Sequence, residues 1–518
     1  MKSNLRSLPM TRSLARRERN AKVARAGPTW LLLLSTCAHS SAATPADLST
    51  PARLATASAP FPATPDSPFR NEKPAALANA PAFVPPVPRV LKLENGATLL
   101  VVENHAVPLV AVEIVIQTGV DAEPLDRSGL SGFVAAMLLE GTKTRSSTDL
   151  EVARERLAAQ LSAASGYETT TLHLNALRET LPEALALMAD VLQNPAFHDG
   201  DIERLRGLAL TGLSQKKGNP GALARDDFAK LLWGAQNPWG QPVGGTEATL
   251  SAIMAKDLRR FYKTWFVPNN AVVSVSGDVT AGEVKVLLDD KLSGWKAHPL
   301  PRRAKVSYPD SPGRQVVFTD LPTASQSQVW VGFRGPRAAD PDVLPLSIAN
   351  NVLGGLFTSR LNKNLREDKA YSYGVRSRLT LLRDVGAITA AGGVIAQHTA
   401  EALVEYEKEL SRLRSGDLTD EEVVRAKEAI IRGLPSQLET NDAVAAAMAG
   451  LVELALPLDY YATLPARVAA VQKSEVAAVI QKDITPVSWP VVVVGPKALA
   501  EDPIRQLGFG EIIEQPAR

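Results

Sequence analysis

The chain of 518 residues predicts an α+β protein of two homologous domains, each a sheet covered on one face by helices, in a clam-shell arrangement. Three observations carry this. Strand-period and helix-period segments are mixed throughout the chain from about residue 90 onward. Asn95-Gly96, between two apolar runs, is a strong two-residue hairpin signal. Landmarks also recur at a near-constant offset: Val112 and Val329 are 217 positions apart, as are Pro124 and Pro341, and Gly277 and Gly495 are 218 apart. A repeat this long marks duplicated domains, not a solenoid.

Residues 1–43 read as an export signal. Arg12, Arg16, Arg17, Arg19, Lys22 and Arg25 form a basic opening, 30–34 a short apolar core, and Ser40-Ser41-Ala42 a small-residue cleavage site. The apolar core is too short to span a bilayer. Leu34-Ser35-Thr36-Cys37 is close to a lipoprotein box, which makes Cys37 a candidate lipid anchor. The mature protein is therefore expected outside the cytoplasm, periplasmic or tethered by lipid. Residues 44–87, rich in Pro, Ala, Ser and Thr, predict a disordered linker. An N-terminal domain is expected over 88–295, a short basic linker over 296–312 and a C-terminal domain over 313–518.

Within the first domain, 90–93 and 97–102 are strands, and 110–116 is the next. Residues 129–142 follow as a helix: Leu130, Phe133, Val134, Met137 and Leu138 recur at three- and four-residue steps, and Gly141-Thr142 stops it. Gly132, Ala135 and Ala136 fall together on one side of that helix. Residues 150–161 read as a helix and 169–174 as an alternating strand, with His173 a structural residue. Helices are expected at 177–192, 202–215, 228–232 and 255–265, and a strand at 271–276 closes the unit. In the second domain, 329–333 is a strand. Helices are expected at 346–353, 399–414, 419–433 and 475–482, before a last strand at 491–494. Thr419-Asp420-Glu421-Glu422 is a capping box that fixes one of these starts.

Composition excludes several classes. Net charge is +2 with both signs interleaved, so no nucleic-acid surface is expected. The single cysteine permits no intramolecular disulfide and no cysteine-based metal site. No two of the six histidines lie within five residues of each other, which rules out a local helical His pair for zinc.

Taken together the motifs resemble the pitrilysin/insulinase family of inverzincin metallopeptidases, which includes the mitochondrial processing peptidase. That family's zinc helix reads Gly-Leu-x-His-x-x-Glu-His-x-x-x-x-Gly-Thr. Gly129-Leu130 and Gly141-Thr142 match both ends at the family spacing. Pro238-Trp239-Gly240, Pro242 and Gly245-Thr246 resemble its Pro-Tyr-Gly-x-Pro-x-x-Gly-Thr loop, with Trp239 in place of the tyrosine. Pro268-x-Asn270 resembles the lead into its domain-closing strand, and Leu353-Gly354-Gly355, Ser359-Arg360-Leu361 and Leu365-Arg366-Glu367 its second-half signature.

The resemblance implies which positions should carry chemistry. The two histidine positions hold Gly132 and Ala136, the catalytic glutamate position Ala135, and the remaining ligand position Gly212 or its neighbour Thr211. Zinc hydrolysis needs three protein ligands and a base for the metal-bound water, so no metal or catalytic base is expected in this chain. The family's Arg and Tyr, seven residues apart, hold the peptide and stabilise the oxyanion, and Arg366 and Tyr373 keep that spacing. From residue types alone, Arg366 would instead pair with Glu367 or Asp368 and Tyr373 would be core; the surrounding signature favours substrate binding. Gly392-Gly393 is expected to border the same cleft. The reading implied is a non-catalytic partner subunit of a heteromeric zinc metallopeptidase, with zinc in the partner and a peptide as substrate. The alternative is a binding or assembly protein of the same fold with no part in proteolysis. No nucleophile elbow, phosphate loop or H-E-x-x-H supports a relocated active site.

Overall fold

The computed structural model describes residues 83–303, 313–484 and 489–515. The expected export signal, Cys37, most of the 44–87 linker and residues 304–312 lie outside the described residues. No helix among the described residues is long and apolar enough to cross a membrane.

In chain order the first half contains β1 (Arg89–Lys92), β2 (Thr98–Glu103), β3 (Leu109–Ile116), α1 (Leu130–Leu138), α2 (Ser147–Arg156), β4 (Gln160–Ser165) and β5 (Thr170–Leu177). It continues with α3 (Leu181–Gln193), α4 (Asp199–Lys216), α5 (Pro220–Trp233), α6 (Glu247–Ala252), α7 (Ala255–Trp265), β6 (Ala271–Gly277) and α8 (Ala281–Lys291). The second half begins with β7 (Gln315–Asp320), β8 (Gln326–Gly335), α9 (Val343–Asn350), α10 (Arg360–Asn362), β9 (Ser372–Leu381) and β10 (Gly386–Ile395). After these come α11 (Thr399–Arg414), α12 (Asp420–Gln437), α13 (Asn441–Glu453), α14 (Tyr460–Ala470), α15 (Lys473–Asp483), β11 (Val491–Gly495), α16 (Lys497–Gln506) and β12 (Glu511–Gln515).

The strands form two six-stranded sheets, β1-β2-β6-β3-β5-β4 and β12-β7-β11-β8-β10-β9. Five strands correspond one to one. Among these five, each sheet has one parallel pair, β2/β6 or β7/β11, followed by antiparallel pairing to β3 or β8. The repeat extends to register. Val112 pairs with Val275 in the first sheet, and Val329, 217 positions on, pairs with Val493 in the second. Only the edge differs: β1 joins antiparallel through the Asn95-Gly96 turn, whereas β12 returns from the chain end and joins parallel.

The helices expected on one face of each sheet are present. The other face is covered too, by a helix from the other half. α5 lies on β7, β8 and β11, and α13 lies on β2, β3 and β6. Leu223, Ala224, Phe228 and Leu232 of α5 share a core with Val317, Val492 and Val494. Val444, Met448 and Leu451 of α13 share one with Leu100 and Val272. This exchange explains the unbroken apolar run at 491–494: a central strand buried on both faces loses its alternation. It also fastens the halves together, because each helix would leave an apolar stripe exposed if withdrawn.

One expected helix is corrected. Residues 150–161 do not form a single helix: α2 ends at Arg156, Ala158 takes a left-handed φ of 49°, and β4 begins at Gln160. The strand needs the reversal to reach β5, and sheet pairing outweighs the helical pattern.

Candidate functional site

α1 is seated by residues on both sides of it in sequence. Leu130, Val134, Met137 and Leu138 are fully buried in the first core. At the N-terminus Gly129, with φ 93°, offers no side-chain cap. Glu123 does that work: its carboxylate accepts from the backbone N–H of Gly129 (2.8 Å) and of Ser131 (2.6 Å). An anion here meets unpaired amides and the positive end of the helix. Burial pushes the Glu123 carboxyl up, against the lowering pull of those amides.

The Pro238–Thr246 loop backs onto the same end. Ser128 Oγ donates to Pro242 O at 3.0 Å, and a Cβ on Gly245, whose φ is 73°, would stand 2.4 Å from Ser128 O. Glycine is required at that contact. From α4, Arg206 crosses to donate to Ile253 O (2.8 Å) and to Leu250 O, with its guanidinium 5.8 Å from the Phe133 ring centroid.

On this frame Gly132 and Ala136 are half-buried and Ala135 is buried. Gly212 and Thr211 lie exposed on α4, which packs on α1. The Thr211 hydroxyl bonds back to Gly207 O at 2.8 Å. A Cβ on Gly132 would approach nothing nearer than Val243 O at 3.9 Å, and one on Gly212 would meet nothing within 4 Å. The backbone therefore keeps room for larger side chains, while the side chains present carry no imidazole or carboxylate. They do not fit zinc. Among the described residues no three His, Cys, Asp or Glu come together as a metal site.

Arg366 and Tyr373 lie on adjoining elements of the second half. α10 runs into a π-turn over Lys363–Asp368, closed by Lys369 N–H donating to Asn364 O at 3.0 Å. π-turns recur at functional sites. The turn is anchored by buried Asn364, whose amide donates to Glu405 and Glu409 at 2.8 Å each. Arg366 is exposed, stacked 4.7 Å from the Phe357 ring centroid, and has no carboxylate partner among the described residues. Its pairing with Glu367 or Asp368 does not occur.

Tyr373 is not a core residue: it is 86% exposed. The reason lies in the register. Ser372 pairs with Val394 and Val375 with Gly392, so Tyr373 and Gly374 together oppose Gly393 in a β-bulge on the edge strand. Ser372 Oγ stitches the bulge, donating to Gly393 O (2.6 Å) and accepting from Gly374 N–H (3.0 Å). Bulges re-aim side chains, and here Tyr373 points to solvent. Gly392-Gly393 thus belongs to the same local structure as Tyr373. An Arg fork and a phenol presented this way can donate to peptide carbonyls or to a developing oxyanion. The two residue sets occupy different halves: the α1 positions the first, Arg366 and Tyr373 the second.

Sequence reasoning missed several supports. Glu123 is signalled only by an acid shortly before a helix start. Phe357 and the Arg360–Glu422 pair carry no local signal. Arg360 grips Glu422 with two bonds of 2.7 Å. Burial would raise that carboxyl, but Arg360 and Thr419 outweigh it and hold it at about 2. His173, read as structural, lies at the seam between the halves. Its Nδ1 faces Glu113 at 2.8 Å and its Nε2 faces Asp442 of α13 at 3.1 Å. The Glu113 hydrogen bond raises its pKa, with burial opposing and the charges of Glu113 and Asp442 adding.

The family model described as Insulinase (Peptidase family M16) matches residues 98–236, and that described as Peptidase M16 inactive domain matches 252–430. An uncharacterized zinc protease of Bacillus subtilis, YmxG, is 25% identical over 349 residues, covering 67% of this chain and 84% of its own length. An uncharacterized zinc protease of Mycobacterium bovis is 26% identical over 358 residues, covering 68% and 81%. Among solved structures, a peptidase M16 inactive domain from Pseudomonas fluorescens superposes with a TM-score of 0.74 at 22% identity, over 79% of this chain and 98% of that one. A protease from Helicobacter pylori gives 0.74 at 19% identity, over 80% and 100%. The structural likenesses establish the fold, and the residues at the zinc-motif positions are consistent with a non-catalytic member. On the two family models, the relatives and the shared architecture, the chain belongs to the insulinase, or M16, peptidase family.

Proposed function

We propose that this chain is the non-catalytic, substrate-binding subunit of a heteromeric zinc metallopeptidase. A zinc-bearing family member supplies the metal, its ligands and the base. This chain supplies Arg366 and Tyr373 to the partner's cleft, where they hold an extended peptide and stabilise the oxyanion. The observation that carries the reading is a contrast within one chain. The helix that would bind zinc is intact but has only Gly and Ala where ligands belong, while Arg366 and Tyr373 are both exposed: Arg366 lies against the Phe357 ring, and neither side chain has a hydrogen bond or ion pair among the described residues. The bulge on the edge strand turns the Tyr373 phenol into solvent, where a second molecule can reach it. The names of the relatives, zinc proteases on one side and an inactive domain on the other, fit a family in which such chains work together. Zinc is expected in the partner and not here. The basic and apolar segment at 1–43 and Cys37 support a location outside the cytoplasm, periplasmic or lipid-tethered.

The test is reconstitution. The chain is co-expressed with a zinc-bearing family member encoded beside it, and each is assayed for peptide cleavage alone and together. The proposal expects stable co-purification and cleavage only, or far faster, by the pair. Co-purification without any gain in cleavage would favour an assembly role.

A further inference from the structure

α5 covers β7, β11 and β8, but the second sheet continues past it to β10 and β9. Over that uncovered part, at the seam between the halves, lies a cavity of about 460 Å³. Its floor is the small side chains Ala387, Thr389 and Ala391, which alternate along β10 and so share one face. The register builds the walls. Arg376 of β9 stands beside Ala391, which stands beside Trp330 of β8, and Arg378 stands beside Thr389. With strands about 4.8 Å apart, the small residues open a trough about 10 Å across between the arginine strand and Trp330. Phe228 of α5 packs against Trp330, ring centroids 5.9 Å apart, and completes an aromatic wall.

The charges in this trough are one-sided. Arg225, Arg376 and Arg378 all line it, no Asp or Glu does, and none of the three has an ion pair among the described residues. The indole nitrogens of Trp239, 2% exposed, and of Trp330 have no hydrogen-bond partner among the described residues, but both are buried beneath the cavity surface, so the two rings offer it apolar faces. The fold does not impose this arrangement. The corresponding edge strand of the first sheet carries Gln160, Ser162 and Ala164 on the exposed side, with no charge.

We propose that this trough binds an acidic peptide segment. Its carboxylates would be taken by Arg376, Arg378 and Arg225, and a neighbouring apolar side chain would lie against Phe228 and Trp330. The site belongs to this chain alone and needs no zinc-bearing partner, so it stands or falls separately from the reconstitution above.

The test uses the isolated full chain and two fluorescein-labelled decapeptides, one alternating Glu and Phe, the other Lys and Phe, followed by anisotropy at low salt. The acidic peptide should bind, the basic one should not, and added salt should weaken binding. Arg376→Ser/Arg378→Ser should weaken it about tenfold or more, since charged hydrogen bonds are lost. Arg432→Ser, at an exposed arginine elsewhere, should leave it unchanged. An unaltered melting curve for the double variant excludes misfolding, and if that variant unfolds, quenching of intrinsic fluorescence that Trp330→Phe abolishes serves instead. Equal binding of both peptides, no binding, or a double variant within twofold of wild type would overturn the proposal.

Discussion

Gly393 faces Tyr373 and Gly374 together, one residue against two, and this slip in register is what carries the tyrosine to the surface. The adjacent glycines respond differently to a side chain. A Cβ on Gly392 would fall 2.8 Å from the backbone oxygen of Gly374, inside the bulge. A Cβ on Gly393 meets only the ends of Gln326 and Gln328, at 2.7 and 2.8 Å, and these can swing away. Gly392→Ala should therefore cost about 1–3 kcal/mol and disturb Tyr373, while Gly393→Ala should stay within about 0.5 kcal/mol. Urea denaturation of both variants checks the contrast.

The Arg360–Glu422 pair sets an acid limit. The Glu422 carboxyl falls from an ordinary 4.5 to about 2 on folding, so its contribution is complete above about 4.5 and is lost as pH drops through about 2. Arg360→Met should remove about 1–2 kcal/mol at neutral pH, a figure already discounted for solvent at the part-exposed carboxylate. It should also flatten the stability profile between those two values, as read by chemical denaturation at a series of pH values.

His173 predicts the opposite slope. Its folded pKa lies above the ordinary 6.5, so its stabilisation is complete below 6.5 and is lost as pH rises through the folded value. The melting temperature of the wild type should fall more steeply from about pH 6 to about pH 9 than that of His173→Gln. Parallel curves would show that the Glu113–His173–Asp442 bridge contributes nothing at the seam.

The open space at the zinc-motif positions makes a constructive prediction. Gly132→His, Ala135→Glu, Ala136→His and Gly212→Glu, combined, should convert the chain to one that binds about one equivalent of zinc, measured by metal analysis after dialysis. Thr211→Glu in place of Gly212→Glu tests which of the two positions faces the site. If neither set takes up metal, α1 and α4 have moved apart from the geometry a zinc site requires.

Much of this architecture was legible in the sequence because the signals were local or repeated. The 217-position offset between Val112 and Val329 returns as shared strand register, and Thr419 caps α12 with Glu422 as its spacing predicts. What stayed hidden was tertiary. β10 reads GAITAAGGVI, too small and glycine-rich to signal a strand, and it forms because β8 and β9 pair along its whole length. β9 carries Arg376 and Arg378 in its centre, charges that an exposed edge tolerates. The apolar residues of α13 face the other half's sheet, and no spacing within a helix tells which sheet it will cover. At the site, the residue types at 132, 135, 136, 366 and 373 could be read directly. The bulge behind Tyr373, the Phe357 platform and the Glu123 cap all depend on partners distant in sequence or on register.

The central claim is that Arg366 and Tyr373 act in a partner's chemistry. The most direct measurement is the turnover of the reconstituted pair with Arg366→Ala, with assembly verified by co-purification. Loss of an oxyanion donor should lower kcat about 100-fold or more, with Tyr373→Phe showing a smaller loss in the same direction. An assembled pair whose kcat is unchanged by Arg366→Ala would contradict the account.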